Sequence, residues 1–210
     1  MNDKNQSLIE LQHIKKMMER STTFSSISGF SLIAAGFCAI TGIWLAVTKA
    51  ANWNQPNAAR INLMQNPQAM ELLMIAIATF LAAALSSFIF IYFRCKKMGI
   101  PVLDRSAKRV IVSMGIPLFI GCLFALRLTT TGTYQLIAPG CLLFYGLALL
   151  NAAKYTLTEI KYLGLAELII GIINLYRLGF GLIFLAIGFG VLHIVCGIIL
   201  LWKYERNDNG

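Results

Sequence analysis

Two ionisable side chains lie deep inside apolar stretches of this sequence, Glu167 and His193. A charge in hydrocarbon is costly, so such residues face other helices or a polar cavity, and they commonly carry proton or ion chemistry. Imidazole is the side chain that changes charge nearest neutral pH, and a carboxyl beside it offers a second site for the same proton. Both residues sit in one local frame: Gly164, Glu167, Gly171 in the first stretch and Gly190, His193, Gly197 in the second. Each therefore falls on the glycine-lined side of its helix, where a neighbouring backbone approaches closely and lipid is excluded. Asn174 extends the same stripe beyond Glu167.

Depth agrees as well as face. Glu167 lies ten residues past Leu157, and His193 lies ten residues before Lys203. At 1.5 Å per residue both are about 15 Å from the same end of the bundle. The turn around Arg177 to Gly179 is short, so the two helices are antiparallel neighbours. Glu167 and His193 are expected to face each other, or to share a polar pocket, near the bilayer midplane. Such a pair titrates as a unit, either as a neutral acid on a neutral imidazole or as an ion pair sharing one proton. The plain alternative is a hydrogen bond that pins two helices, worth about 0.6–2 kcal/mol in membranes.

A second polar group gathers where the fourth stretch meets the fifth: Asn151, Lys154, Glu159 and Tyr162, with Tyr155 and Lys161 beside them. Snorkelling accounts for most of it. Thr156 and Glu159 have the spacing of a capping box that opens the fifth helix at Leu157. Pro139 and Gly140 permit a bend in the fourth stretch, where Tyr145 lies deeper, and Pro117 permits one in the third. Bends of this kind would suit a substrate pocket among the last four stretches.

The elements that position these groups follow from hydropathy. The chain has 210 residues, 58% of them hydrophobic and 13% charged, with a mean hydropathy of +0.71. That is too apolar for a water-soluble domain. Six stretches are long enough to cross a hydrocarbon core of about 30 Å as helices: Ser26 to Val47, Glu71 to Phe93, Val110 to Leu128, Gly132 to Ala153, Leu157 to Tyr176 and Phe180 to Trp202. The expected fold is an all-α membrane protein. Residues 1–25 form a cytoplasmic amphipathic helix, 26–202 a six-helix transmembrane bundle and 203–210 a cytoplasmic tail. Glycines recur seven apart, as Gly29 and Gly36, Gly181 and Gly188, or Gly190 and Gly197, and mark grooves for close helix packing.

A net charge of +9 arises from basic residues that alternate between loops, which argues for membrane topology rather than nucleic acid. Lys4, Lys15, Lys16, Arg20, Arg94, Lys96, Lys97, Arg105, Lys108, Arg109, Lys154, Lys161, Lys203 and Arg206 fall on one side. Lys49, Arg60, Arg127 and Arg177 fall on the other. The positive-inside rule then puts both termini in the cytoplasm and the basic loops against anionic lipid. No processing site follows the first stretch, so a cleaved signal peptide is not expected.

Ser7 and Glu10 form a capping box ahead of Leu8, Leu11, Ile14 and Met18, which share one helical face. That stripe suits the headgroup layer or the groove of a protein partner, so residues 1–20 are a candidate docking segment. Trp44, Trp53 and Trp202 fit the interfacial aromatic belts. The cysteines have no C-x-x-C spacing and read as packing residues. Metalloprotease, nucleophile-elbow and phosphate-loop motifs are absent. A haem or zinc site lacks ligands, because His193 is the only histidine within a span. No enzyme activity, cofactor or metal is expected.

Two segments carry a resemblance: Ile9-Glu10-Leu11 through Ile14-Lys15-Lys16-Met17-Met18-Glu19-Arg20-Ser21, and Phe144-Tyr145-Gly146 through Asn151 and Lys154-Tyr155-Thr156 to Glu159, Gly164 and Glu167. They resemble an uncharacterised family of small multi-span inner-membrane proteins of the Bacteroidota. The resemblance implies a bacterial inner membrane and brings no activity. The leading expectation is a non-enzymatic scaffold or partner-binding subunit, able to form oligomers. The alternative is a small proton-coupled transporter or sensor that uses Glu167 and His193.

Overall fold

The computed structural model of the chain describes residues 28–51 and 67–205. The expected N-terminal amphipathic helix, most of the loop after the first span and the last five residues lie outside that range. Among the described residues the fold is helical throughout, with no strand. The helices are α1 (Gly29–Ala51), α2 (Pro67–Met98), α3 (Arg105–Thr131), α4 (Ile137–Ala152), α5 (Thr158–Tyr176) and α6 (Gly181–Tyr204). A 3₁₀ turn at Tyr134–Leu136 leads into α4. Five of these elements are long and apolar enough to cross a membrane: α1, α2, α3, α4 with its 3₁₀ turn, and α6. The chain is a multi-pass helical membrane protein. The remaining helix, α5, has 19 residues and carries Glu159, Lys161 and Glu167.

Local chemistry sets the helix ends. Asp104 caps α3, its Oδ1 accepting from the Ala107 N–H at 2.6 Å, and Gly132 at φ 74° closes that helix in the left-handed conformation. Pro139 stands in the first turn of α4, where the first four N–H groups have no intrahelical partner, so its missing donor costs little. The capping box expected at Thr156 and Glu159 is not formed. Leu157, extended at φ −72° and ψ 146°, is the N-cap and supplies no side-chain bond. The Glu159 carboxylate is drawn away by Lys203, a stronger charge-assisted partner than a backbone N–H. Thr156 Oγ1 is left buried without a hydrogen-bond partner.

In the bundle, α1 packs between α2 and α6, and α4 packs between α3 and α5, while α6 touches α4 and α5 and closes the centre. Two of these crossings run backbone against backbone. A Cβ added at Gly36 would stand 2.8 Å from the Gly190 carbonyl oxygen, and one at Gly29 would collide with that of Gly197, so α1 lies directly on α6. Gly146 and Gly164 do the same for α4 and α5, at 2.9 and 3.0 Å from each other's carbonyl oxygens. Such approach maximises dispersion contacts where lipid and side chains are equally apolar.

The buried apolar core lies toward the end of the bundle where α5 begins. Leu149, Ile160, Leu163 and Cys196 pack there, with Leu32, Met114, Tyr145, Leu157 and Leu192 against them. A smaller cluster of Ala107, Val110 and Ala152 receives Ile91 from α2. Otherwise α2 is peripheral, with Cys95 its one buried residue among those described. All five cysteines are free thiols.

Candidate functional site

The side chain of Glu167 projects from the middle of α5 into the space between α4 and α6 and is fully buried. Its neighbours on that face, Gly164 and Gly171, let α4 come close. Across from it stands His193, 3% exposed, at the junction between a π-helical segment, Ala186–Leu192, and the α-helical segment His193–Leu200. Wide π turns inside α-helices are frequent at functional positions, because they displace backbone groups and re-aim a side chain. Here the His193 Nδ1 lies 3.1 Å from the Gly188 carbonyl oxygen and 3.5 Å from Glu167 Oε1. The pair expected from the glycine frame is brought together.

The sequence reading missed the third member. Tyr145 on α4 places its hydroxyl 2.8 Å from His193 Nε2, with the two rings 5.4 Å apart and tilted. Phe189 closes the edge of both rings, at 5.0 Å from Tyr145 and 6.3 Å from His193. One neutral state satisfies the imidazole completely: Nδ1–H donates to the Gly188 carbonyl, and Nε2 accepts from the Tyr145 hydroxyl. In the other neutral tautomer Nε2–H donates to the Tyr145 oxygen, and the bare Nδ1, 3.5 Å from Glu167 Oε1, is the atom that can take the carboxyl's proton. The tyrosine hydroxyl can play either part.

Glu167 itself is the anomaly. Neither carboxyl oxygen has a hydrogen-bond partner, and the approach to Nδ1 is longer than a good charge-assisted bond. The carboxyl is seated over Gly188: a Cβ there would lie 2.5 Å from Oε2 and 2.6 Å from Leu142 Cδ2. The missing side chain of Gly188 is what makes room for the acid. Asn174, near the other end of α5, is also fully buried, and neither of its amide atoms is paired. It does not join the trio, because two helical turns separate it from Glu167.

The expected cluster at the α4–α5 junction does not converge. Glu159 alone among its four members is buried, bonded to Lys203 Nζ at 2.6 Å and to the Tyr204 hydroxyl at 3.3 and 3.4 Å. Asn151 is half-buried, Lys154 is exposed and Tyr162 is 67% exposed. The helix that was expected to end at Trp202 continues through Glu205, which is how Lys203 and Tyr204 come to lie over Glu159.

A cavity of about 400 Å³ opens between α3, α4 and α5, lined by Phe124, Leu136, Gly140, Leu143, Phe144, Leu147, Leu168 and Leu175. Its walls are apolar, and none of Glu167, His193 or Tyr145 lines it. Comparison of the chain with models of known families, with curated proteins and with solved structures finds no match.

Proposed function

We propose that the protein is a non-enzymatic membrane protein that responds to protons through Glu167, with His193 and Tyr145 as its relay. One observation supports this above the others: a fully buried carboxyl with no hydrogen bond, beside a ring whose two nitrogens are already engaged. A structural helix pin would spend the carboxyl in a bond, since leaving such a group unmade inside a protein costs about 1–3 kcal/mol. A group kept at that cost is suited to changing its protonation state. The cavity between α3, α4 and α5 is apolar and lies away from the trio, so it offers no polar cargo site to the relay.

The topology belongs to the same proposal. We read α5 as a sixth crossing, because Glu159, Glu167 and Asn174 are buried while Leu165, Ile169, Ile172 and Ile173 are exposed, as a lipid-facing side would be. Both termini then lie in the cytoplasm, on the side with most of the basic residues, and the family resemblance of the sequence supports a bacterial inner membrane. The test is a pair of spin labels at Tyr162 and Trp202, exposed at neighbouring ends of α5 and α6. Their separation should change between acidic and alkaline buffer, and Glu167→Gln should freeze it. An unchanged distance in the native protein would remove the sensor. Collapse of a pH gradient in liposomes by the native chain, but not by Glu167→Gln, would promote the carrier.

A scaffold role is the second reading, favoured by α2, most of whose described residues are exposed, with Cys95 alone buried. It predicts a co-purifying protein that is lost when residues 1–20 are removed.

A further inference from the structure

Polar groups are not spread evenly about Glu167 along the buried face of α5. On the side of the α4–α5 junction, Ile160 and Leu163 are packed with Leu149 and Cys196 into one apolar cluster. Beyond that cluster, Glu159 is already occupied by Lys203 and Tyr204. Nothing polar is left unpaired between Glu159 and Glu167 on that face, and four interlocked side chains separate them.

The opposite side is different. Asn174 lies seven residues on, about 10.5 Å along the axis at 1.5 Å per residue, on the same face and fully buried. Its amide offers two donors and an acceptor, all unpaired within the protein. Buried polar groups of this kind are normally satisfied by water, which needs several polar partners in reach. Glu167 supplies a second unpaired group at the inner end of the same line. Between them on α5 stands Gly171, which has no side chain, and the neighbouring surface is Leu143 and Leu142 of α4, the Leu143 Cγ and Cδ2 lying 3.0 Å from where a Gly171 Cβ would stand. The Leu142 Cβ would touch a Cβ at Gly171 at 3.1 Å, and its Cδ2 lies over Gly188 beside the carboxyl. Two leucines of α4, the fully buried Leu142 and its neighbour Leu143, stand where the other side has a cluster of four.

We propose that Glu167 exchanges its proton with the face bearing the α5–α6 turn, along a hydrated line anchored by Asn174 and gated by Leu142 and Leu143. This rests on the reading of Glu167 as the proton site and adds its direction of access. Asn174 is a positioning residue in this scheme, holding water rather than taking the proton. The apolar cluster of Leu149, Ile160, Leu163 and Cys196 is the seal against the other side.

Dicyclohexylcarbodiimide, which partitions into membranes and modifies protonated carboxyls, tests this on the full chain in vesicles of known orientation. Modification at Glu167 is read by mass spectrometry while pH is changed on one face at a time. The expected result is that it falls when pH is raised on the face of the Arg177–Gly179 turn, and not when it is raised on the other. Asn174→Leu should slow that response by about tenfold, equivalent to about 1.4 kcal/mol on the barrier. Asn174→Ser, which keeps a polar anchor, should restore it, and Leu142→Ala should speed it. Modification that follows pH on the opposite face overturns the inference and leaves Glu167 as a proton site. So does a response indifferent to Asn174→Leu when that variant folds. Modification that ignores pH on both faces overturns this inference and the reading beneath it together.

Discussion

Gly188→Ala isolates the contact on which the site depends. In a helix interior alanine is favoured over glycine by about 1 kcal/mol, so with free space around it the change would stabilise α6. The space is taken. The new Cβ would stand 2.5 Å from Glu167 Oε2 and 2.6 Å from Leu142 Cδ2, whereas ordinary contact begins at 3.4 Å. The carboxyl must therefore retreat by about 0.9 Å, the difference between 3.4 and 2.5 Å, and Leu142 by a similar distance. Forced displacement in a filled interior costs about 1–3 kcal/mol. Set against the propensity gain, the single substitution should cost about 0–2 kcal/mol net. In a Glu167→Ala background the obstructing acid is gone and Leu142 has room to move, so the same substitution should recover the propensity gain and become stabilising by about 1 kcal/mol. The two positions should thus couple by about 1–3 kcal/mol, within the range found for residues in contact. Reversible unfolding of the four proteins in mixed detergent micelles measures that coupling. An effect of Gly188→Ala that is equal in both backgrounds to within about 0.5 kcal/mol would show that the carboxyl does not rest on Gly188.

Tyr145→Phe leaves the His193 Nε2 without its partner and should cost about 1 kcal/mol in unfolding free energy, the middle of the membrane hydrogen-bond range; the same change in a His193→Phe background should cost less. Gly36→Val drives a side chain onto the Gly190 carbonyl, a backbone atom that cannot step aside, and should lower stability by about 1–3 kcal/mol, read in the same micelle assay. Lys203→Met releases Glu159 but removes a pair whose lysine is 57% exposed, so the loss should stay near 1 kcal/mol or below and shrink with added salt. Its clearer readout is fraying of the last turn of α6, seen as faster amide exchange at Lys203 and Tyr204.

The meeting of Glu167 and His193 was legible because two antiparallel helices joined by a short turn fix depth, and the glycine frames fix face. Apolar length marked the helices for the same reason: lipid obliges the backbone to bond within each segment. Tyr145 was not legible. Nothing in the sequence of α4 states that it touches α6 as well as α5, and that contact follows from how three helices close around glycine. The π segment before His193 was equally hidden, since its register depends on packing rather than propensity. Thr156 misled because capping spacing is a local signal, and it lost to an ion pair between Glu159 and Lys203, 44 positions further on. Tyr162 and Lys154 misled because proximity in sequence at a helix junction says little about which way each side chain turns.

Infrared difference spectroscopy across a pH step, on the protein in lipid nanodiscs, tests the account most directly, because a protonated carboxyl in an apolar site has a carbonyl stretch of its own. The account predicts such a band that disappears as pH is raised and is missing altogether from Glu167→Gln. A band that survives in Glu167→Gln, or a native spectrum with no carboxyl that titrates, would contradict it.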